Sequence, residues 1–542
     1  MRGAVASASL LLSLPSMVGA VQYGYNHVTV RKDSDIIESV FQDVDVELLS
    51  PAFLTPEIRQ DGFGDGTQGP TSHDDMDAYL EEVTGRNSYM NYHRAGFTSE
   101  EGHTFPYVLL STGKDGLQRR VSGNDMSNKV RVWIQAAVHG NEPAGDEATQ
   151  ALLGKFDDDP EWAASILDKV DIVILPRYNP DGVFYFQRTL ATNFDPNRDH
   201  IKLARQQTRD IKQLMNKFSP HVVVDMHEYG TSAVFGGRYQ HASDGLFSAA
   251  KNLNINSAIR NMSETLFAPR IAADMQAAGL RTEPYVTGSS APGPDFVATF
   301  AEAGTDGKIG RNAMGLTQAI VFLVENRGIG IADQEFQRRT ASGLTMLVSI
   351  VETAAEEAAD VYETVGGGIE DFIASTDDIV ITDYSETEIR PFTMVDNRNG
   401  DIVRRPVRFA STTPAFANLT RSRPEAYLIP PAWADLAERM RVYGLEVETL
   451  EDGWQGSVEA LTITSTSIAS SYYEGVIRVT ATAEAKELEL SLPPGSFLVS
   501  TRQKNAALAM VALEPENIDS FVSFNIVPVA KGDEYPIFRV VS

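Results

Sequence analysis

Short apolar runs, rich in β-branched residues, recur along the first two thirds of the chain: Val130 to Val138, Val170 to Leu175, His221 to Met226 and Ala319 to Val324. Such uninterrupted runs read as strands buried on both faces of a parallel sheet. Between and around them, apolar positions return at helical spacing over Pro143 to Phe156, Ile201 to Phe218, Asn254 to Gly279 and Asp333 to about Ala359. Pro143 suits a first helical turn. An earlier helix is expected near Asp75 to Val83, and a strand near Tyr107 to Ser111. Strands alternating with helices predict an α/β domain, with a mostly parallel mixed sheet flanked by helices, over residues 71–365.

Gly366-Gly367-Gly368 reads as a linker, and beyond it the pattern changes. Ile379 to Ile381, Val403 to Phe409, Leu445 to Thr449, Leu461 to Thr464, Val476 to Ala483, Leu488 to Leu492 and Phe521 to Val527 are short runs bounded by turn formers. One helix, Ala432 to Tyr443, interrupts them. A smaller, mostly β, sandwich-like domain is expected over residues 369–542. Residues 21–70 mix short apolar runs with Pro and Gly clusters, an irregular lead segment expected to lie on the α/β body. The first twenty residues combine Arg2, an apolar run from Ala4 to Leu14 and the small-residue pattern Val18-Gly19-Ala20. That is the form of a secretory signal peptide, so the mature chain is expected to be secreted or periplasmic. No later stretch is long and apolar enough for a membrane span.

Composition narrows the chemistry. The 542 residues exceed the size of a single core, and 42% apolar with 22% charged residues describe a soluble globular protein. A formal net charge of −28 argues against nucleic acid and anionic lipid as partners. There is no cysteine, which excludes disulfides, thiolate ligands and a Cys nucleophile. A zinc site would have to use His and carboxylate, a donor set suited to catalytic zinc.

The candidate residues gather at the carboxyl ends of the predicted strands, where open α/β sheets bind ligands. They are His139-Gly140-Asn141-Glu142, the turn Asn179-Pro180-Asp181-Gly182, His227 and Glu325, with Arg188, Asn197 and Arg198 in loops on the same edge. Two His and one Glu, with a fourth position left to water, form the ligand set of a catalytic zinc hydrolase. A nearby carboxylate can then take a proton from the activated water. The arginines supply positive charge where an oxyanion and a substrate carboxylate need it.

In their order and spacing these pieces resemble the zinc metallocarboxypeptidases related to pancreatic carboxypeptidase A, over roughly Thr71 to Ala359. The resemblance implies one zinc ion per chain, with His139, Glu142 and His227 as its ligands. It implies Glu325 as the general base and Arg188 as the stabiliser of the tetrahedral oxyanion. Asn197 and Arg198 match the pair that holds the substrate's C-terminal carboxylate, a task that suits the planar fork of a guanidinium. The C-terminal region resembles accessory domains behind some bacterial members of the family, through Pro493-Pro494-Gly495-Ser496 and Leu513-Glu514-Pro515-Glu516.

The match has departures. The family's arginine just before the zinc-binding Glu is Asn141 here, which removes one positive subsite. Its active-site tyrosine has no counterpart between Tyr285 and Glu325, and that role stays unassigned. The pocket for the terminal side chain is expected between Gly288 and Leu316, where Arg311 either favours acidic side chains or is simply solvated. The expected function is an exported zinc carboxypeptidase acting on peptides with a free C-terminal carboxylate. Two other readings remain: a zinc amidohydrolase acting on N-acyl amino acids or cell-wall peptides, and an inactive binding module that keeps the zinc fold.

Overall fold

The computed structural model describes residues 26–113, 128–289, 293 and 297–541. The leader sequence at residues 1–20 and most of the Gly288–Pro294 loop lie outside the described residues.

An eight-stranded mixed sheet forms the body of the molecule, in the order β1-β2-β4-β3-β5-β11-β7-β8. Its strands are β1 (Met90–Thr98), β2 (Thr104–Leu110), β3 (Val130–Gln135), β4 (Val170–Leu175), β5 (Val222–Gly230), β7 (Gly245–Ala249), β8 (Thr282–Pro284) and β11 (Ile320–Ile329). The four central strands, β4, β3, β5 and β11, are mutually parallel; β2 joins them antiparallel on one side and β7 antiparallel on the other. These four are the apolar runs of the sequence, and they are buried along almost their whole length. Helices Pro143–Asp158 and Phe336–Glu356 cover one region of the sheet and pack on each other. Helix Gln206–Phe218 buries Ile211, Met215 and Phe218, with the Phe218 ring against Trp133 of β3.

The Gly366–Gly368 run is not a linker: it lies inside a continuous helix, Ala358–Ala374. Val361, Val365, Gly368 and Phe372 are its buried positions, a helical spacing that carries the chain straight through the glycines. A Cβ on Gly368 would come within 3.0 Å of Ile259, so the small residue lets this helix sit close against helix Ser257–Met262.

The C-terminal part also differs from a set of short sandwich strands. It is built around two long hairpins, β12 (Ile379–Asp396) with β13 (Ile402–Arg421), and β16 (Trp454–Tyr473) with β17 (Val476–Leu492). The first hairpin joins β6 (Tyr239–His241), β9 (Val286–Ser289) and β10 (Thr299–Glu302) in a five-stranded sheet ordered β6-β12-β13-β10-β9. The second belongs to a six-stranded sheet with β14 (Ala426–Ile429), β15 (Glu448–Leu450), β18 (Ser496–Ser500) and β19 (Phe538–Val540). Phe521 to Val527 is a buried series of turns rather than a strand, and Ala506–Leu513 is a fully buried helix absent from the sequence expectation. One apolar cluster runs from Val132 and Phe322 in the central sheet to Tyr427, Leu508 and Phe521, so the core does not part at residue 365.

Candidate active site

The His139 turn leaves β3 and enters helix Pro143–Asp158, with Glu142 just before the helix and Pro143 in its first position. Gly140 is required by packing: a Cβ there would lie 1.9 Å from the Gly182 carbonyl carbon. The Asn179–Gly182 turn therefore lies backbone to backbone on the His139 turn. Asn179 holds the two together by donating its backbone N–H to the Ala137 carbonyl at 3.0 Å, while its side chain accepts the Gly182 N–H at 2.9 Å and donates to the Thr189 carbonyl at 3.1 Å. This ties the Arg188 loop to the same corner.

His139, Glu142 and His227, all buried, bring one donor atom each to within 4.8 Å of one another. The two Nδ1 atoms are 3.1 Å apart, and Glu142 lies 2.7 Å from His139 Nδ1 and 3.0 Å from His227 Nδ1. On the far side of each ring stands another carboxylate, Asp195 at 3.2 Å from His139 Nε2 and Asp225 at 3.3 Å from His227 Nε2. A carboxylate at Nε2 favours its protonation and turns an Nδ1 lone pair inward, the outer-shell arrangement of metal-binding histidines. The three donors therefore fit a zinc ion. Burial alone would raise the Glu142 carboxyl, but His139 and His227 hold it well below the usual carboxylate range.

Asp195 also accepts from Arg188, at 3.0 Å from Nε and 2.8 Å from Nη2. Its other oxygen takes the Asn197 backbone N–H at 2.8 Å. Asn197 accepts the Gly310 N–H at 2.7 Å, and Arg198 is anchored through Nη1 to the Asn197 carbonyl at 2.9 Å. Glu325 sits on β11 in register with His227 on β5. Burial lifts its carboxyl to about 8; His227 and Arg188 pull it down, while Glu142 pushes it further up. His139, Glu142, Arg188, Asn197, Arg198 and Glu325 all line one cavity of about 380 Å³, with His227 behind it.

Comparison with known proteins decides the family. The zinc carboxypeptidase family model matches residues 76–265. Carboxypeptidase 2 of Trichophyton equinum is 53% identical over 524 residues, covering 96% of each chain. Carboxypeptidase 2 of Trichophyton rubrum is 52% identical over 526 residues, again 96% of each. The chain belongs to the zinc carboxypeptidase family. These matches extend through the C-terminal part, and both relatives are fungal. Among solved structures, the metallo-carboxypeptidase from Burkholderia cenocepacia aligns with 53% of this chain and 70% of its own, at 17% identity and a TM-score of 0.39.

As a zinc carboxypeptidase the chain is a hydrolase, and the structure adds residues that the sequence did not single out. Asp195 and Asp225 had only a spacing signal, each two positions before an assigned residue, which for Asp225 means the same face of β5 as His227. Tyr285 lines the cavity, where Glu325 beside it and burial push its phenol pKa up. Ala233, Phe235 and His241 form a wall outside the expected Gly288 to Leu316 region, although Ile309 and Arg311 do come from within it. Arg311 is not solvated: it is buried and donates to the Gly304 carbonyl at 2.5 Å. Glu228 turns away from the donor set to an ion pair with Arg339 at 2.8 Å and accepts the Ala144 N–H at 2.6 Å.

Proposed function

We propose that this chain is an exported metallocarboxypeptidase that removes C-terminal residues from peptides, with the eight-stranded sheet carrying the site and the C-terminal hairpins packed into the same core. The observation that carries the reading is one cavity that joins a three-donor metal set, a buried carboxyl at Glu325 and the Arg188, Asn197 and Arg198 cluster. When bound by His139, Glu142 and His227, zinc supplies a Lewis acid and a positive charge that favours ionised Glu325.

Asn197 and Arg198 grip the terminal carboxylate and so set the register of the peptide. Arg188 faces the carbonyl of the last peptide bond and balances the negative charge that grows on its oxygen. Glu325 takes a proton from the attacking water as the water oxygen bonds to the carbonyl carbon. As the C–N bond breaks, Glu325 returns that proton to the leaving amine. Tyr285 can donate its hydroxyl hydrogen to the substrate from the cavity wall.

Export rests on the charged, apolar and small-residue pattern of the first twenty positions, and protein from the native host should begin at Val21. Digestion of a mixed peptide pool, read by mass spectrometry beside elemental analysis, tests the activity. Ladders shortened from the C-terminus and one zinc per chain are expected, with zinc lost in His227→Ala. Cleaved acyl or cell-wall amides without such ladders would replace the carboxypeptidase by the amidohydrolase reading.

A further inference from the structure

The tip of the β16–β17 hairpin, in the C-terminal region, reaches the loop that carries Asp195 beside the candidate active site. Its two-residue turn, Glu474-Gly475, has both φ angles positive, 45° and 87°, as in the tight turns that suit the twist of paired strands. Glu474 accepts the Asp195 backbone N–H at 2.9 Å, across 279 residues of sequence. Gly475 is pressed against the neighbouring residue, where a Cβ would lie 2.7 Å from the Phe194 ring. The Phe194 ring is in turn flanked by Lys202 and Arg205 at 4.8 and 5.1 Å, so the turn lands on a packed surface.

What Glu474 holds is the residue that organises the site. Asp195 carries Arg188 and the Asn197 N–H on its carboxylate and stands behind His139. The hairpin is braced on the opposite side as well. Arg478 of β17 lies 3.2 Å from Asp519, which also accepts the Lys308 N–H at 3.0 Å. Lys308 is two positions from Gly310, whose N–H holds Asn197. The same hairpin thus touches the Asp195 loop directly and is linked through Asp519 to the Lys308–Gly310 segment that holds Asn197.

We infer that Glu474 is a positioning residue which, by fixing the Asp195 backbone, aims the Arg188 guanidinium at the scissile carbonyl. The hairpin tip is therefore part of the catalytic unit, a role that rests on the carboxypeptidase reading above. Arg188 is 39% exposed on its side chain and is held closely by Asp195, at 2.8 Å, and more loosely by Glu142, at 3.5 Å. A guanidinium displaced by about 1 Å loses much of its catalytic effect, an error that can cost up to about a hundredfold in rate. The grip on the substrate carboxylate belongs to Asn197 and Arg198, and Asn197 is held independently by the Gly310 N–H, so the loss should fall mainly on kcat rather than on KM.

The experiment compares Glu474→Ala and Glu474→Gln in the full chain, each also combined with Arg188→Ala. Steady-state kinetics on a C-terminal peptide substrate are read beside amide hydrogen exchange over residues 188–199. Glu474→Ala should lower kcat about tenfold to a hundredfold with KM within about twofold, and exchange in that segment should quicken. Glu474→Gln keeps an acceptor oxygen and should restore both readings. In the Arg188→Ala background, Glu474→Ala should cost nothing further, because the two act as one unit. Unchanged exchange and kcat in Glu474→Ala would overturn the inference, as would a loss that persists in full without Arg188. A variant that melts early and is not rescued by Gln would show a structural prop instead. An inactive wild type would sink the function itself; exchange then still decides whether Glu474 restrains the Asp195 segment.

Discussion

Glu325 and His227 are register partners on adjacent parallel strands, β11 and β5. In-register residues of parallel neighbours project to the same face, so the sheet itself sets the carboxyl beside the imidazole of the donor set. Glu325→Gln should keep this placement and the zinc while removing proton transfer. General-base catalysis is worth about 10²–10⁴-fold, and the loss should appear in kcat. Steady-state kinetics with a parallel zinc assay checks it. Near-normal kcat in a zinc-replete variant would remove Glu325 from the mechanism.

The same carboxyl should leave a signature in the zinc-free protein. Burial lifts Glu325 from 4.5 to about 8, so between these values the folded chain keeps a proton that the unfolded chain has released. Its contribution to stability is full below the unfolded value and is lost as pH rises through the folded one. Glu147, Glu228, Glu335 and Glu514, each lifted to about 7 mainly by burial, act in the same direction. Glu325→Gln should therefore flatten only part of the decline. Denaturant midpoints of chelator-treated wild type and variant, taken from about pH 5 to about pH 9, give the comparison. Parallel declines would mean that Glu325 is not the buried acid that titrates there.

Glu228 should behave as a structural carboxylate despite its place next to His227. Its side chain and that of Arg339 are 0% and 3% exposed, and Glu228→Ala strands a buried guanidinium. Breaking such a pair costs about 3–5 kcal/mol. Urea unfolding should show that loss, while the folded, zinc-loaded variant keeps most of its kcat. A stable variant that has lost turnover would instead return Glu228 to the list of proton acceptors.

The central sheet and the first ring of site residues were legible because both are written locally. Apolar β-branched runs mark β3, β4, β5 and β11, and the chemistry sits at their carboxyl ends within short motifs. The three glycines misled because glycine signals breaks in general, whereas Gly368 answers to the approach of Ile259. The long hairpins were underestimated because much of β12, β13, β16 and β17 is exposed on both faces, which erases the alternation that marks a half-buried strand. Helix Ala506–Leu513 is buried all round and so carries no periodicity to read. Asp195 and Glu474 meet only in three dimensions, and no spacing along the chain announces that pairing.

Arg198 should separate recognition of the substrate terminus from the chemistry. It is anchored by Asn197 at 2.9 Å and lines the same cavity as Arg188 and Glu325, but it is proposed to hold a carboxylate present in both the ground and the transition state. An interaction made equally in both states appears in KM, and its loss leaves kcat largely intact. A charge-assisted hydrogen bond to a carboxylate is worth about 1.5–3 kcal/mol, so Arg198→Ala should raise KM by about tenfold to a hundredfold on peptides with a free terminus. The same change should barely affect the C-terminally amidated peptide, which never had the carboxylate to offer. The preference for acid over amide should shrink accordingly. Some kcat should go with it, since a slack terminus misplaces the scissile carbonyl. Kinetics on a matched acid and amide pair measure all of this at once. A variant that still rejects the amide as strongly as wild type would show that Arg198 does not read the terminus. Asn197, Arg311 and the Tyr285 hydroxyl would then be the groups to substitute next, as polar residues that line the same cavity.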